Sequence, residues 1–184
     1  MDADRNSADS SDSARSADGA VVAPHGVVLL DDPDNLCFGC SPFNERGLRL
    51  VWRRAGGEVR ARYTADALLR GAPGVVHGGI QATLLDETLG VAIHQAIGDP
   101  SDLHLVTADF ELRYRRPAPT ATPLELVGRL DRREGRSYFA SGEILALDGT
   151  VLTRATARWV AVPVAAPERA LTPVPGGRTD ASDA

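Results

Sequence analysis

The chain has 184 residues, an apolar share of 43% and a formal net charge of −5 at pH 7, which suits one domain with a sizeable core. The negative charge gives no general attraction to nucleic acid or to an anionic membrane surface. No apolar run reaches membrane-spanning length and the polar, acidic start is unlike a signal peptide, so we expect a cytoplasmic protein with no membrane partner.

Composition changes along the chain and predicts four parts. Residues 1–20 are mostly Asp, Ser, Ala and Arg, with almost nothing to bury, and are predicted to form a disordered tail. Residues 21–34 contain Val-Val-Leu-Leu and are predicted to be a lead-in segment packed against the domain. Residues 164–184 are rich in Pro, Ala, Gly and Thr and are predicted to be a flexible tail. The folded domain is therefore expected at 35–163.

The domain begins with two predicted strands. Apolar residues alternate with arginine from Leu48 to Arg53 and again from Val59 to Tyr63. Gly56-Gly57 lies between the two runs and is a hairpin signal, so these strands are expected to pair directly.

A long helix pattern follows, from His77-Gly78-Gly79 to about Ile97, and it is apolar nearly all round. Such a helix is buried, so the carboxylates of Asp86 and Glu87 cost several kcal/mol unless they are partnered, hydrated or used. The two glycines weaken the first helical turn by roughly 1 kcal/mol each relative to alanine. Both costs are explained if the helix start receives a substrate carbonyl and the buried carboxylate acts on it.

Four strands are predicted after the helix. In the first, Val106, Ala108, Phe110, Leu112 and Tyr114 share one face, while Thr107, Asp109, Glu111, Arg113 and Arg115 share the other. The other three span 123–132, 136–147 and 150–162, with a tight turn at Asp148-Gly149 between the last two. This order predicts an α+β fold in which a curved antiparallel sheet wraps round one long central helix.

Three stretches resemble a known family. HGGIQATLLDETLG is similar to hotdog-fold acyl-CoA thioesterases of the phenylacetic-acid-pathway type and, more widely, the 4-hydroxybenzoyl-CoA thioesterase-like superfamily. In that group His-Gly-Gly is followed, after six residues, by an Asp on the central helix, as in His77–Gly79 and Asp86. TADFELRYRRPAP resembles the strand after that helix, and CFGCSPFNERGLRLVW resembles a subgroup that begins with Cys-x-x-Cys. The resemblance covers most of residues 36–162 and implies the hotdog fold and thioester hydrolysis.

The resemblance also implies roles for individual residues. The backbone N–H of Gly78 would bind the thioester oxygen, and Asp86 would act as general base or nucleophile. His77 would position the turn, and Thr107 would orient the hydrolytic water. Relatives often carry Asn or Gln six residues before the histidine, where this chain has Gly71.

The residues themselves add a chemical reason for these roles. Orphan N–H groups at a helix start stabilise an oxyanion, and the glycines, Gly79 included, let a substrate carbonyl approach closely. A carboxylate can activate water as a base or attack directly as a nucleophile, and both routes stay open. Arg116 and Arg136 are candidates for binding coenzyme A phosphates, although most exposed arginines are only a solvated face.

Helix geometry predicts that the site is shared between two chains. Gly78 and Asp86 are eight residues apart, roughly 12 Å along one helix, so they cannot both touch one carbonyl. Two antiparallel helices related by a two-fold axis bring Gly78 of one chain beside Asp86 of the other. The contact centres on Ala82 and is flanked by Gly79 and Gly90, which are small enough for close approach. We therefore expect a homodimer, or a homotetramer built from it.

For Glu87 and the two cysteines we expect structural roles and not catalytic ones. Glu87 points to a different helix face, near Thr83, Val91 and His94, and is interpreted as structural or as a support for the catalytic residues. Cys37 and Cys40 are the only cysteines and fall short of a four-ligand zinc site unless a partner chain or His25 completes it. A disulfide is not expected in the cytoplasm, so we interpret both as structural thiols and expect no metal and no cofactor.

Two other functions remain open at this point. A hotdog enoyl-CoA hydratase or dehydratase also handles acyl thioesters, but it needs a His paired with an acidic residue in another arrangement. A non-catalytic acyl-thioester-binding protein is the alternative that Gly71 favours.

Overall fold

One long helix and seven strands make up the part of the chain that the computed structural model describes, residues 21–22, 36–98 and 103–163. A short 3-10 helix, Ala67–Leu69, precedes the long one. In chain order the elements are β1 (Val21–Val22), β2 (Trp52–Ala55), β3 (Glu58–Thr64), α1 (Gly78–Ile97), β4 (Leu103–Tyr114), β5 (Pro123–Glu134), β6 (Ser137–Ala146) and β7 (Val151–Pro163).

The strands form a single antiparallel sheet in the order β1-β2-β3-β5-β6-β7-β4. Helix α1 packs against five of them, β3 to β7, so the sheet curves round the helix. This is the α+β hotdog architecture that the sequence predicts, and the helix bounds agree with the prediction to within one residue.

The core lies between the helix and the concave face of the sheet. Leu84, Leu85, Leu89 and Ile93 of α1 are fully buried. Gly128 and Gly142 of the sheet let the helix come close. A Cβ at Gly128 would lie 2.9 Å from the Thr88 carbonyl oxygen, and one at Gly142 would lie 2.8 Å from the Leu89 side chain. The same threonine receives a hydrogen bond from the buried indole of Trp52, at 3.1 Å, which fixes β2 to the helix.

The segment before β2 corrects one prediction. Leu48 and Leu50 are buried, as the alternation predicts, but the strand begins only at Trp52. Arg49 has a φ of 51°, which is outside the extended region and interrupts the strand. The backbone instead bonds to the preceding turn, with Leu48 N donating to Phe38 O and Leu50 N donating to Gly39 O.

A β-bulge in β4 corrects a second prediction. Thr107 pairs with Trp159 and Asp109 pairs with Arg158, so Ala108 is the extra residue between two neighbouring pairs. The bulge reverses the alternation, and Thr107 therefore faces the helix on the same side as Tyr114, not on the opposite side. Strand β4 also forms one end of the sheet.

The predicted domain boundaries fall mostly outside the described residues. Strand β1 pairs with β2 and belongs to the predicted lead-in segment 21–34. The rest of that segment and the predicted tails, 1–20 and 164–184, lie outside the described residues. Within the described ranges, no helix combines the length and the apolarity needed to cross a membrane.

Candidate active site

The start of helix α1 is held by the side chain of the residue before it. His77 is the N-cap, with φ −56° and ψ 138°, and its Nδ1 accepts a 3.0 Å hydrogen bond from the Gly79 N–H. The imidazole thus satisfies one orphan donor of the first turn. For Gly78 we find no acceptor of the N–H within the described residues. The N–H of Ile80 likewise has no acceptor there, so Gly78 is one of two available donors in the first turn.

A cavity of about 530 Å³ lies beside this helix start. Sequence reasoning did not assign a role to Tyr114, whose hydroxyl donates a 3.0 Å hydrogen bond to the Gly78 carbonyl. The sequence places Tyr114 on the apolar face of β4, which is the one feature that indicates contact with the helix. The lining of the cavity consists of Gly71, Ala72, Val75, Val76, His77, Gly78, Gln81, Tyr114, Arg115, Arg116 and Pro117.

Gly71 and Gln81 shape that cavity in different ways. A Cβ at Gly71 would lie 3.2 Å from the His77 ring, so a side chain at position 71 would stand beside the N-cap. Gln81 is buried, and both ends of its amide are occupied: Nε2 donates to the Val76 carbonyl, and Oε1 accepts from the Thr153 hydroxyl. Gln81 therefore holds the loop before the helix and does not substitute for a polar side chain at position 71.

Asp86 lies half-buried in the middle of the helix. The Thr107 hydroxyl donates a 2.8 Å hydrogen bond to its Oδ1, across from strand β4. Burial raises the pKa of the Asp86 carboxyl above its ordinary value, and the Thr107 hydrogen bond opposes part of that shift. An oriented carboxylate with a raised pKa, at the surface of a helix, is suited to accept a proton or to attack an electrophile.

The structure of one chain does not bring all predicted site residues together. The helix start brings together His77, Gly78, Gly79 and Arg116. Asp86 lies two helical turns further along α1, beside Thr107 of β4, and neither of these two residues lines the cavity. Arg136, exposed in the β5–β6 turn, accepts a hydrogen bond from the Ala161 N–H, and Ala161 pairs with Leu105. Arg136 is therefore at the Thr107 end of the sheet, away from Arg116.

One of the small residues predicted to face a partner chain is buried instead. A Cβ at Gly90 would lie 2.7 Å from the Trp159 ring of the same chain, so Gly90 serves internal packing. Gly79 is exposed and Ala82 is half-buried, and both remain available on the helix surface near Asp86.

Glu87 contacts residues that the sequence did not connect with it. The Cys37 sulfur lies 3.8 Å from each of its carboxylate oxygens, and Cys40 completes a cluster in which one donor atom of each residue lies within 4.8 Å of the others. Burial, Cys37 and Asp86 raise the pKa of Glu87 to about 8. The thiol–thiol hydrogen bond lowers the pKa of Cys37 and raises that of Cys40. His25, considered from the sequence as a further ligand, lies outside the described residues.

A second cavity, of about 700 Å³, lies along β2 and β3. Its lining is rich in arginine, with Arg53, Arg54, Arg60 and Arg62, but it includes neither Asp86 nor the helix start. We therefore place the candidate active site at α1 and β4.

Comparison with known proteins agrees with this architecture. A family model for the thioesterase superfamily matches residues 73–153, which include the whole of α1, β4, β5 and β6. Over this part of its length the chain is similar to the thioesterase superfamily. It is 35% identical over 106 residues to the mouse (Mus musculus) acyl-coenzyme A thioesterase THEM4, covering 56% of this chain and 42% of that protein. The chain thus spans less than half the length of this relative.

Solved structures of this superfamily show the same fold. The crystal structure of one thioesterase superfamily protein superposes with a TM-score of 0.61 and 33% identity, over 71% of this chain and 60% of that one. A phenylacetic acid degradation-related protein from Ralstonia eutropha JMP134 matches with a TM-score of 0.54 and 27% identity, over 61% and 85% of the two chains. The predicted resemblance to this superfamily is confirmed.

Proposed function

We propose that this chain hydrolyses an acyl thioester, with acyl-coenzyme A as the substrate class, to a free acid and a thiol. The observation that carries the proposal is Asp86, a half-buried carboxylate oriented by the Thr107 hydroxyl at 2.8 Å. The name of the mouse relative, an acyl-coenzyme A thioesterase, supports the choice of substrate class.

The Gly78 N–H is the proposed oxyanion donor. It is available at the start of α1, whereas His77 already occupies the N–H of Gly79. The helix dipole adds to its effect, and the missing Cβ lets the thioester carbonyl come close. The Tyr114 hydroxyl holds the Gly78 carbonyl and so fixes the orientation of the first turn.

Asp86 acts on the carbonyl carbon in one of two ways. As a general base it takes a proton from water, whose oxygen attacks the carbonyl carbon, and the thiolate leaves. As a nucleophile it forms a mixed anhydride with release of the thiolate, and water then hydrolyses the anhydride. In both routes the Thr107 hydroxyl orients the carboxylate and the water beside it.

The proposed site is shared across a two-fold dimer. Gly78 and Asp86 lie two turns apart on one helix, so an antiparallel partner helix would set Gly78 of one chain against Asp86 of the other. The exposed Gly79 and half-buried Ala82 support a close approach there. Arg116 at one end and Arg136 at the other would then come from different chains to the phosphates of one coenzyme A molecule.

Turnover of a panel of acyl-CoA thioesters, followed with a thiol-detecting reagent, tests the proposed reaction. We expect free thiol to appear in proportion to acid. Gly71, which provides no side chain beside His77, favours the second candidate, a protein that binds acyl thioesters without cleaving them. Tight binding of the panel with no thiol release would support that candidate, and hydration of an enoyl-CoA without thiol release would support a hydratase.

A further inference from the structure

A cluster of two thiols and one carboxylate lies next to the proposed catalytic Asp86 along α1, and the proposed hydrolysis assigns it no role. Cys40 and half-buried Cys37 belong to the turn before β2, and Glu87 belongs to α1, next to Asp86. The three donor atoms come from two segments that are distant in sequence, and they lie within 4.8 Å of one another.

These distances suit a small divalent cation. Zinc binds thiolate sulfur at about 2.3 Å and carboxylate oxygen at about 2.0–2.2 Å, so the ligand atoms of a tetrahedral site lie about 3.3–3.8 Å apart. Cys37 sulfur already lies 3.8 Å from both oxygens of Glu87. Closing the cluster on an ion therefore needs side-chain shifts of about 1 Å or less.

The surroundings of these three side chains favour a bound cation over a purely structural role. Two thiols and one carboxylate converge here, and within residues 36–98 and 103–163 no arginine or histidine forms an ion pair with Glu87. Gly39 lies directly against the carboxylate: a Cβ there would lie 2.1 Å from Glu87 Cδ. The glycine of the Cys-x-Gly-Cys turn thus leaves the space that the Glu87 side chain fills.

We propose that Cys37, Cys40 and Glu87 bind a Zn²⁺ ion, which fastens the 37–40 turn to helix α1. Two sulfur ligands select zinc over magnesium or calcium, which prefer all-oxygen sites. Three protein ligands leave the fourth position to water. Glu87 is the third ligand, which could not be inferred from the spacing of the two cysteines.

Metal analysis of the unmutated protein, purified in reducing buffer without chelator, is the first test. We expect about one zinc per chain. Adding a mercurial reagent should release that zinc as two thiols react, which a chromogenic chelator records without any substitution. Protein that contains no zinc and takes up none when Zn²⁺ is added, or that isolates with a Cys37–Cys40 disulfide, would overturn the proposal.

Three variants test which residues bind the ion. Loss of an outer-shell partner of a metal site costs about 10–100-fold in affinity, so Glu87→Gln and Cys37→Ser should weaken zinc binding by at least that factor. Gly39→Ala keeps all three ligands but displaces the carboxylate, and should also weaken it. The matched control is Glu45→Gln, on the exposed surface of the same segment, which should bind zinc normally. Unchanged affinity in Glu87→Gln would remove the carboxylate from the site.

Discussion

The Thr107 hydroxyl reaches Asp86 across the gap between sheet and helix, at 2.8 Å, because strand β4 bulges at the next residue. Without the bulge, regular alternation would turn Thr107 away from the helix. A local irregularity of one edge strand thus provides the hydrogen bond that orients the proposed catalytic carboxylate. Bulges are common next to active sites, where they re-aim a side chain in this way.

Asp86→Asn should abolish most of the activity while preserving the fold. The amide is nearly isosteric but cannot act as base or nucleophile, so kcat should fall by about 10²–10⁴-fold. The matched control is Asp109→Asn, which changes an exposed carboxylate on strand β4 and should leave kcat nearly unchanged. Turnover of Asp86→Asn at the unmutated rate would exclude Asp86 from the mechanism.

Thr107→Val should shift the pH dependence of activity. Burial raises the pKa of Asp86 and the Thr107 hydrogen bond lowers it, so removing the hydroxyl should raise that pKa further. Because the unprotonated carboxylate is the active form, the acid limb of the kcat/KM profile should move to higher pH. Thr107→Ser keeps the hydroxyl and should restore the original limb. A profile that does not move in the valine variant would contradict this role.

Exchange of subunits between two inactive variants should restore activity if the site is shared. Gly78→Pro removes the proposed oxyanion N–H at a first-turn position, and the extended His77 backbone, with ψ 138°, tolerates a following proline. Mixed with Asp86→Asn, it should form mixed dimers in about half of the pairs, each with one intact site. Recovered activity should then be about a quarter of that of the unmutated protein.

The control for this experiment separates two effects of Gly78→Pro, the loss of the N–H donor and the added side-chain volume. A Cβ at Gly78 would lie 3.2 Å from the Tyr114 hydroxyl, so Gly78→Ala introduces that contact but keeps the N–H. It should retain more activity than Gly78→Pro. If mixing the two inactive variants restores nothing although mixed dimers are detected by native mass spectrometry, both groups act within one chain.

Gly90→Ala should destabilise the protein despite the better helix propensity of alanine. The propensity gain is about 1 kcal/mol, whereas overpacking a core costs about 1–3 kcal/mol. Its Cβ would lie 2.7 Å from the Trp159 ring, so the overlap should win and Tm should fall by about 2–4 °C. Gly57→Ala, which meets nothing within 4 Å, is the control. A higher Tm for Gly90→Ala would show that Trp159 moves aside freely.

Deleting residues 1–19 and 170–184 should change the stability of the domain very little. Their composition offers few apolar side chains to bury, so we expect a change in Tm of less than about 2 °C and unaltered turnover. Calorimetry of the truncated and full-length proteins measures this directly. A loss of many degrees would mean that one of these segments packs on the domain.

The sequence predicts α1 and the four strands after it well because each carries a sustained period of its own. Prediction from the sequence is less reliable where the backbone departs from that period. Arg49 at positive φ delays the start of β2, and the bulge at Ala108 moves Thr107 to the other face of β4. Each departure arises at a single residue, and the pattern of apolar positions does not encode it.

For the candidate site, the sequence alone suggests residue types but cannot pair segments that are distant along the chain. The family resemblance implies only that Thr107 orients the water, and its hydrogen bond to Asp86 is a finding of the structure. The contact of Glu87 with Cys37 joins positions fifty residues apart without a motif. Gly90 looked available because small residues on one helix stripe suggest a partner helix, but Trp159 fills that space. Only the tertiary structure assigns each small residue to its neighbour.

The contact of Gly39 with Glu87 also constrains how this chain can have diverged from its relatives. A side chain at position 39 and the carboxylate of Glu87 would occupy the same volume, so position 39 is not free to enlarge alone. Where a related sequence carries any residue larger than glycine at the first position, the second should hold a shorter side chain. Such paired changes should appear when relatives with the Cys-x-x-Cys start are aligned, and a larger residue at position 39 together with glutamate at position 87 should be rare.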